Sequence, residues 1–248
     1  MLSLDIILMK MKLRYLSLFF LLNYSISFSQ VQNIELVESI PIETTLDNPD
    51  IRNTQEVWLE MINSAEKTLD IEQFYISNEK SEPLDTVLNA IVATAKRGVI
   101  VRIIVDGEMF RTYPDDVTWL EQQSQNITKH VIDFKSLSGG IQHAKMIIKD
   151  DNEVFIGSQN FDWRALKHIH ELGVRIKHKD CIPLYKNVFE YDWCLSSGNN
   201  DSDKCDFRYP SWKLCTIFNQ QIFGLIDLYP IFSSKNSIKN FVVSTNKG

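Results

Sequence analysis

The chain is poor in residues that break a fold, with nine glycines and seven prolines in 248 residues. That scarcity, beside 44% apolar and 11% aromatic residues, excludes collagen-like, low-complexity and disordered chains. An excess of positive charge is missing too: 26 Lys and Arg stand against 32 Asp and Glu, a net of −6. This disfavours a broad basic surface that grips long duplex nucleic acid. No uninterrupted apolar run reaches the roughly 20 residues that span a bilayer, and no internal repeat is found. There are only four cysteines, Cys181, Cys194, Cys205 and Cys215, with no C-x2-C spacing among them. A zinc knuckle is therefore disfavoured, and one or two disulfides in an oxidising compartment are expected, in any of three pairings.

What is present begins with a leader. Lys10, Lys12 and Arg14 precede the apolar run 16–22, and Ser27-Phe28-Ser29 supplies a small-x-small cleavage pattern. Residues 1–29 are expected to be a signal peptide. Its removal leaves 219 residues with a net charge of −8. The product is expected to be exported, periplasmic or secreted (lumenal in a eukaryote), without a stable membrane span.

After a short apolar segment at 34–40, helical and strand patterns alternate. Helical spacing of Val57, Met61, Ile62 and Ala65 predicts a helix over 54–67, and 69–76 (LDIEQFYI) reads as one strand. Over 83–96 Pro83 suits a first turn, while Leu84, Val87, Leu88, Ile91, Val92 and Ala95 form one stripe and Gly98 suits the stop. The β-branched run 99–105 predicts a strand covered on both faces. A helix over 116–125 and a strand near 131–134 follow. Strands at 143–148 and 153–156 flank the turn residues 149–152. A strand over 171–176 and a helix over 183–193 complete the series. This alternation predicts an α/β sandwich, a mixed sheet with helices on both faces. The domain is expected over 30–195, with an irregular tail over 196–248.

Residues 143–160, HAKMIIKDDNEVFIGSQN, carry the chemistry. His143, Lys145, Asp150, Gly157, Ser158 and Asn160 follow the spacing H-x-K-x4-D-x6-G-S-x-N. On a strand, alternate residues share a face, so His143 and Lys145 lie about 7 Å apart on one side. An imidazole is a nucleophile at neutral pH, and the ammonium neutralises a bound phosphate oxygen. Ser158 and Asn160 add donors to the same anion, stabilising charge that develops at phosphorus. No metal or cofactor is needed for this chemistry. His178-Lys179-Asp180 merely spells the letters contiguously, His168 and His170 lack a third ligand, and His130 ends a polar stretch and reads as exposed.

The spacing matches the HKD signature of the phospholipase D superfamily without substitution. With LVESIP (36–41), IEQFY (71–75) and NFDWRAL…ELGV (160–174), the chain resembles the first half of the lysosomal phospholipase-D-like exonucleases and poxvirus envelope phospholipases. The resemblance runs from about residue 36 to 193 and implies the phospholipase D-like sandwich fold. It implies hydrolysis of phosphodiesters in phospholipids or single-stranded nucleic acid through a phosphohistidine. His143 would attack phosphorus or protonate the leaving oxygen, and Lys145, Ser158 and Asn160 would bind the phosphate. Glu171 would orient the histidine. Asp150 is carried among the catalytic positions by the signature, although its place reads as a strand end and turn. Trp163 and Phe74-Tyr75 either line the substrate path or are core aromatics.

Such chemistry needs two motifs on opposite sides of one phosphate, and this chain has a single H-x-K. The leading expectation is a homodimer, as in some small bacterial nucleases of the superfamily, or pairing with a second HKD-bearing chain. The alternatives are a truncated N-terminal half, inactive alone, and a non-catalytic phosphate- or lipid-binding module.

Overall fold

A computed structural model describes residues 34–197, Cys205, 215–219 and 224–228. The expected signal peptide lies outside the described residues.

The core is an eight-stranded mixed sheet in the order β2-β1-β10-β8-β7-β3-β5-β6. Its strands are β1 (Ile34–Ser39), β2 (Arg52–Asn53), β3 (Thr68–Gln73), β5 (Ile100–Asp106), β6 (Ile127–Ile132), β7 (Lys145–Lys149), β8 (Glu153–Gly157) and β10 (Glu171–Ile176). Strands β3, β5 and β6 run parallel, while β7, β8, β10 and β1 alternate in direction. The carboxyl ends of β1, β3, β5, β6 and β8 and the amino ends of β7 and β10 therefore share one end of the sheet.

Helices α1 (Thr54–Asn63), α2 (Pro83–Lys96) and α4 (Asp115–Gln123) cover one face. Between the last two lies a single turn, α3 (Gly107–Phe110). In α2 the predicted stripe Leu84, Val87, Leu88, Ile91, Val92 and Ala95 is buried, each large aliphatic side chain contributing about 1.5–3 kcal/mol. Gly98 follows at φ +105°, a conformation that ends the helix and that only glycine adopts without strain. Another short helix, α5 (Phe134–Ser138), follows β6, and α6 (Ile182–Ser196) packs Ile182, Tyr185 and Phe189 on the opposite face against Ile104, Met146, Ile148 and Val154. The predicted mixed sheet with helices on both faces is the observed one.

The structure departs from the sequence pattern in four places. The predicted strand 69–76 is two: β3 stops at Gln73, and β4 (Ile76–Ser77) pairs instead with β9 (Phe161–Asp162) in a separate ribbon. Phe74 and Tyr75 form the step between them. The strand expected near 131–134 is β6, because its pairing to β5 runs from Val101–Ile127 to Asp106–Ile132. The tail expected to be irregular contains a hairpin of β11 (Cys215–Asn219) and β12 (Gly224–Leu228). His130 is only partly exposed, its ring stacked on Trp193 at 3.7 Å. Cys194 is bonded to Cys205, Cys181 is disulfide-bonded as well, and no cysteine among the described residues is free.

Candidate active site

The β7–β8 hairpin brings the two parts of the motif together. Asp150 (φ 51°) and Asp151 (φ 54°) form its turn, and the Asn152 N–H donates to the Lys149 carbonyl at 3.0 Å. Two positive φ angles in succession make a type I′ turn, whose twist matches the paired strands. Met146–Ile156 pairing then returns Gly157 to the end of the sheet where β7 began. Gly157 in turn pairs with Gly173 of β10. A Cβ on Gly173 would meet the Phe155 ring at 2.5 Å, and one on Gly157 would meet the Gln159 side chain at 2.1 Å. The two glycines let Gln159 fold back under the turn, leaving Ser158 and Asn160 at the sheet end.

Lys145, the first residue of β7, is 5% exposed, and its Nζ donates to the His143 carbonyl at 2.9 Å. Among the described residues it forms no ion pair. Burial lowers its pKa to about 8, with the Glu171 carboxylate opposing. Glu171, the first residue of β10, is pushed up to about 7 by burial, opposed by the Ser158 hydroxyl and the Lys145 ammonium. Its Oε2 and the Oδ1 of Asn160 are buried without a hydrogen-bond partner. Such atoms are costly unless another group reaches them.

His143 lies on the segment just before β7. Burial and the Lys145 ammonium hold its imidazole below the ordinary range, with Asp106 opposing. The segment is clamped at Gln142, whose N–H donates to Asp106 Oδ2 at 2.8 Å and whose side-chain amide donates to Glu72 Oε1 at 2.5 Å. Below it Glu72 faces Asp192, and burial of the two neighbouring acids pushes both pKa values up.

His143, Lys145, Ser158, Asn160 and Glu171 thus gather at one end of the sheet. Asp150 does not join them. Five residues along the hairpin, about 16 Å by strand rise, its carboxylate accepts the N–H groups of Glu66, Lys67 and Thr68. It ties the hairpin turn to the entry of β3, which corrects its grouping with the catalytic positions. Glu171 makes no hydrogen bond to His143; its neighbours are Ser158 and Lys145, and the carboxylate acting on His143 is Asp106. Sequence reasoning missed Asp106 and Gln142. Asp106 had a signal, an acid at the carboxyl end of a parallel strand, where open α/β sheets place ligand-binding groups.

The remaining candidates are accounted for locally. Asp162 accepts from Tyr75 Oη at 2.8 Å and Arg164 Nε at 2.9 Å, which fixes the turn after Asn160. His170 Nε2 lies 2.9 Å from Glu38 Oε2. No group of three or more His, Cys, Asp or Glu side chains suited to a metal occurs among the described residues. Trp163 packs against the core under α1, α2 and α4.

An imidazole held below its ordinary range, a buried ammonium in no ion pair and hydroxyl and amide side chains at one sheet end make an α/β site suited to holding an anion. The family model described as cardiolipin synthase, PLD-like domain, matches residues 58–193, and the chain belongs to this phospholipase D-like family. It is 34% identical over 181 residues to the virion nicking-joining enzyme of Vaccinia virus (strain Western Reserve), covering 71% of this chain and 41% of that protein. To the 5'-3' exonuclease PLD3 of Xenopus tropicalis it is 30% identical over 193 residues, 72% of this chain and 38% of the relative. It therefore spans about two-fifths of the length of these curated relatives. Nuc of Salmonella typhimurium, a phospholipase D family member, shares the fold at a TM-score of 0.52 and 22% identity, over 65% of this chain and 94% of Nuc.

Proposed function

We propose that the chain is a phosphodiesterase whose active site is completed by a second chain. The observation that carries this is Lys145: a buried ammonium in no ion pair among the described residues, beside an imidazole held below its ordinary range, is a site suited to an anion. His143 attacks phosphorus, the bond to the leaving oxygen breaks, and that oxygen takes a proton from the second chain's histidine. Water then attacks the phosphohistidine, the P–N bond breaks, and the proton returns. Lys145, Ser158 and Asn160 hold the phosphate oxygens, and Glu171 supports the Lys145 ammonium.

The need for a second chain is supported by where the apolar surface lies. Among the described residues nine large hydrophobics are exposed, and six of them, Ile42, Leu46, Leu137, Ile141, Ile169 and Leu172, lie at or beside the sheet end that carries His143. Apolar residues concentrated around a polar pocket mark an interaction surface. A second copy is the leading occupant. The limited share of the relatives that the chain covers favours a second reading, in which a different chain supplies the other motif. The substrate class is a phosphodiester of a phospholipid or of single-stranded nucleic acid. Export is part of the proposal, supported by the leader pattern at 1–29 and the Cys194–Cys205 bond. No helix among the described residues is long and apolar enough to cross a membrane.

Hydrolysis of bis(p-nitrophenyl) phosphate in EDTA by the purified chain tests the proposal. His143→Ala is expected to lower the rate about a thousandfold or more. Equal activity in that variant refutes the assignment. Sedimentation at micromolar concentration separates the two partners: a dimer favours a second copy, and an inactive monomer favours a different chain.

A further inference from the structure

Phe74 is a large aromatic side chain that neither core cluster contains. It stands at the step where β3 ends, is only partly buried, and packs with neither the cluster under α1, α2 and α4 nor the one under α6. A phenylalanine normally adds its bulk to such a cluster. This one turns to the motif instead. Its ring centroid lies 4.6 Å from the His143 imidazole at an interplanar angle of 72°, and 5.3 Å from Lys145 Nζ. Its other ring neighbour is Tyr75, at 5.6 Å. One side chain thus touches both members of H-x-K. The register explains how, since Gln73 pairs with Lys145 and the next residue emerges beside the segment that carries His143.

We propose that Phe74 is a positioning residue for this pair, fixing the His143 imidazole edge-to-face and holding the Lys145 ammonium charged and aimed at the phosphate position. The inference rests on the roles given to His143 and Lys145 above. Two physical effects underlie it. Edge-to-face packing narrows the orientations open to an exposed ring at an otherwise irregular segment. A ring face within about 6 Å attracts a cation, most strongly where water is excluded. Burial works against the Lys145 charge, and His143 on the same segment adds no negative charge to offset it. The groups that favour the ammonium are Glu171, across the sheet on β10, and the Phe74 ring. Around His143 the charged groups are Lys145 and Asp106 of β5. Phe74 brings no charge to either.

Phe74→Leu keeps an apolar side chain and removes the ring, while Phe74→Tyr keeps the ring. With bis(p-nitrophenyl) phosphate as probe, Phe74→Leu is expected to lower kcat/KM about tenfold and to move the alkaline limb of its pH profile down by about half to one and a half pH units. Phe74→Tyr is expected to stay near wild type in both. Should the leucine variant fail to fold, Phe74→Met, of similar volume, repeats the comparison. NMR titration of the Lys145 ammonium in the full chain reads the same effect without turnover: its midpoint is expected to fall in the ring-free variant and hold in the tyrosine variant. An inactive wild type with that shift would sink the phosphodiesterase reading and leave the positioning role standing. A ring-free variant with the wild-type Lys145 midpoint and alkaline limb would overturn the role of Phe74.

Discussion

The two ends of the central sheet carry the same kinds of residue in opposite states. Strand β7 starts at Lys145 and finishes at Lys149, and both lysines are at most 9% exposed. Lys149 is paired, its Nζ 2.6 Å from Glu153 Oε1 and 3.2 Å from Ser64 Oγ. Lys145 is in no ion pair among the described residues; it donates to the carbonyl of His143 and faces the ring of Phe74, with the Glu171 charge acting from β10. Strand β10 repeats the contrast. At its amino end Glu171 leaves Oε2 without a partner, whereas near its carboxyl end the buried Arg175 binds Glu153, Glu60 and Glu35 together. Arg175 and Arg52 hold Glu60 down to about 2, while burial holds Glu171 up at about 7. The paired end ties strands to one another. The unpaired end keeps charges and lone pairs available to a further group.

The largest expected effect breaks the paired end. Arg175→Met leaves three acids without their shared guanidinium and is expected to cost about 3 kcal/mol in urea unfolding, since a buried pair that loses one partner exposes the other to desolvation. A loss below about 1 kcal/mol would mean that Arg52 and Lys149 hold those acids alone.

Next in size is a pH dependence confined to the other end. Ionisation of Glu171 near 7 turns on the carboxylate that supports Lys145, and loss of the Lys145 proton near 8 removes the phosphate ligand. The profile of kcat/KM is therefore expected to rise through about 7 and fall above about 8, roughly tenfold per pH unit outside that window. A flat profile between pH 6 and 9 would contradict the proposed roles of both groups.

The smallest effect separates a signature residue from the site. Although burial opposes it, the N–H groups of Thr68, Glu66 and Lys67 hold the Asp150 carboxylate below the ordinary range. Asp150→Asn keeps a residue that tolerates positive φ and is expected to cost about 1 kcal/mol of stability, with kcat/KM essentially unchanged. A large loss of turnover at unchanged stability would return Asp150 to the catalytic group.

Much of this was legible in the sequence where a local pattern and a tertiary requirement agree. The α2 stripe with Pro83 and Gly98 gave its helix residue for residue, and Glu171–Ile176 gave its strand. The H-x-K and G-S-x-N segments sit at one sheet end because their spacing is that of a two-stranded hairpin. What was not legible depends on partners far along the chain. Nothing in LDIEQFYI marks a break after Gln73; the break comes from Phe161 and Asp162, which pair with Ile76 and Ser77 and take the Tyr75 hydroxyl. The same distance hid Asp106 from the site and left open whether Phe74 lines the substrate path or the core.

The contrast between the two ends is tested most directly by one pair of variants, Lys145→Met and Lys149→Met, with urea unfolding and phosphodiesterase activity measured on both. Lys145→Met is expected to lose about a hundredfold or more in kcat/KM while its stability stays within about 1 kcal/mol of wild type or rises, because a buried unpaired charge is removed. Lys149→Met is expected to lose about 1–3 kcal/mol of stability and to keep its kcat/KM. Equal destabilisation of the two variants, with activity lost only in proportion, would contradict the division of this sheet into a binding end and a structural end.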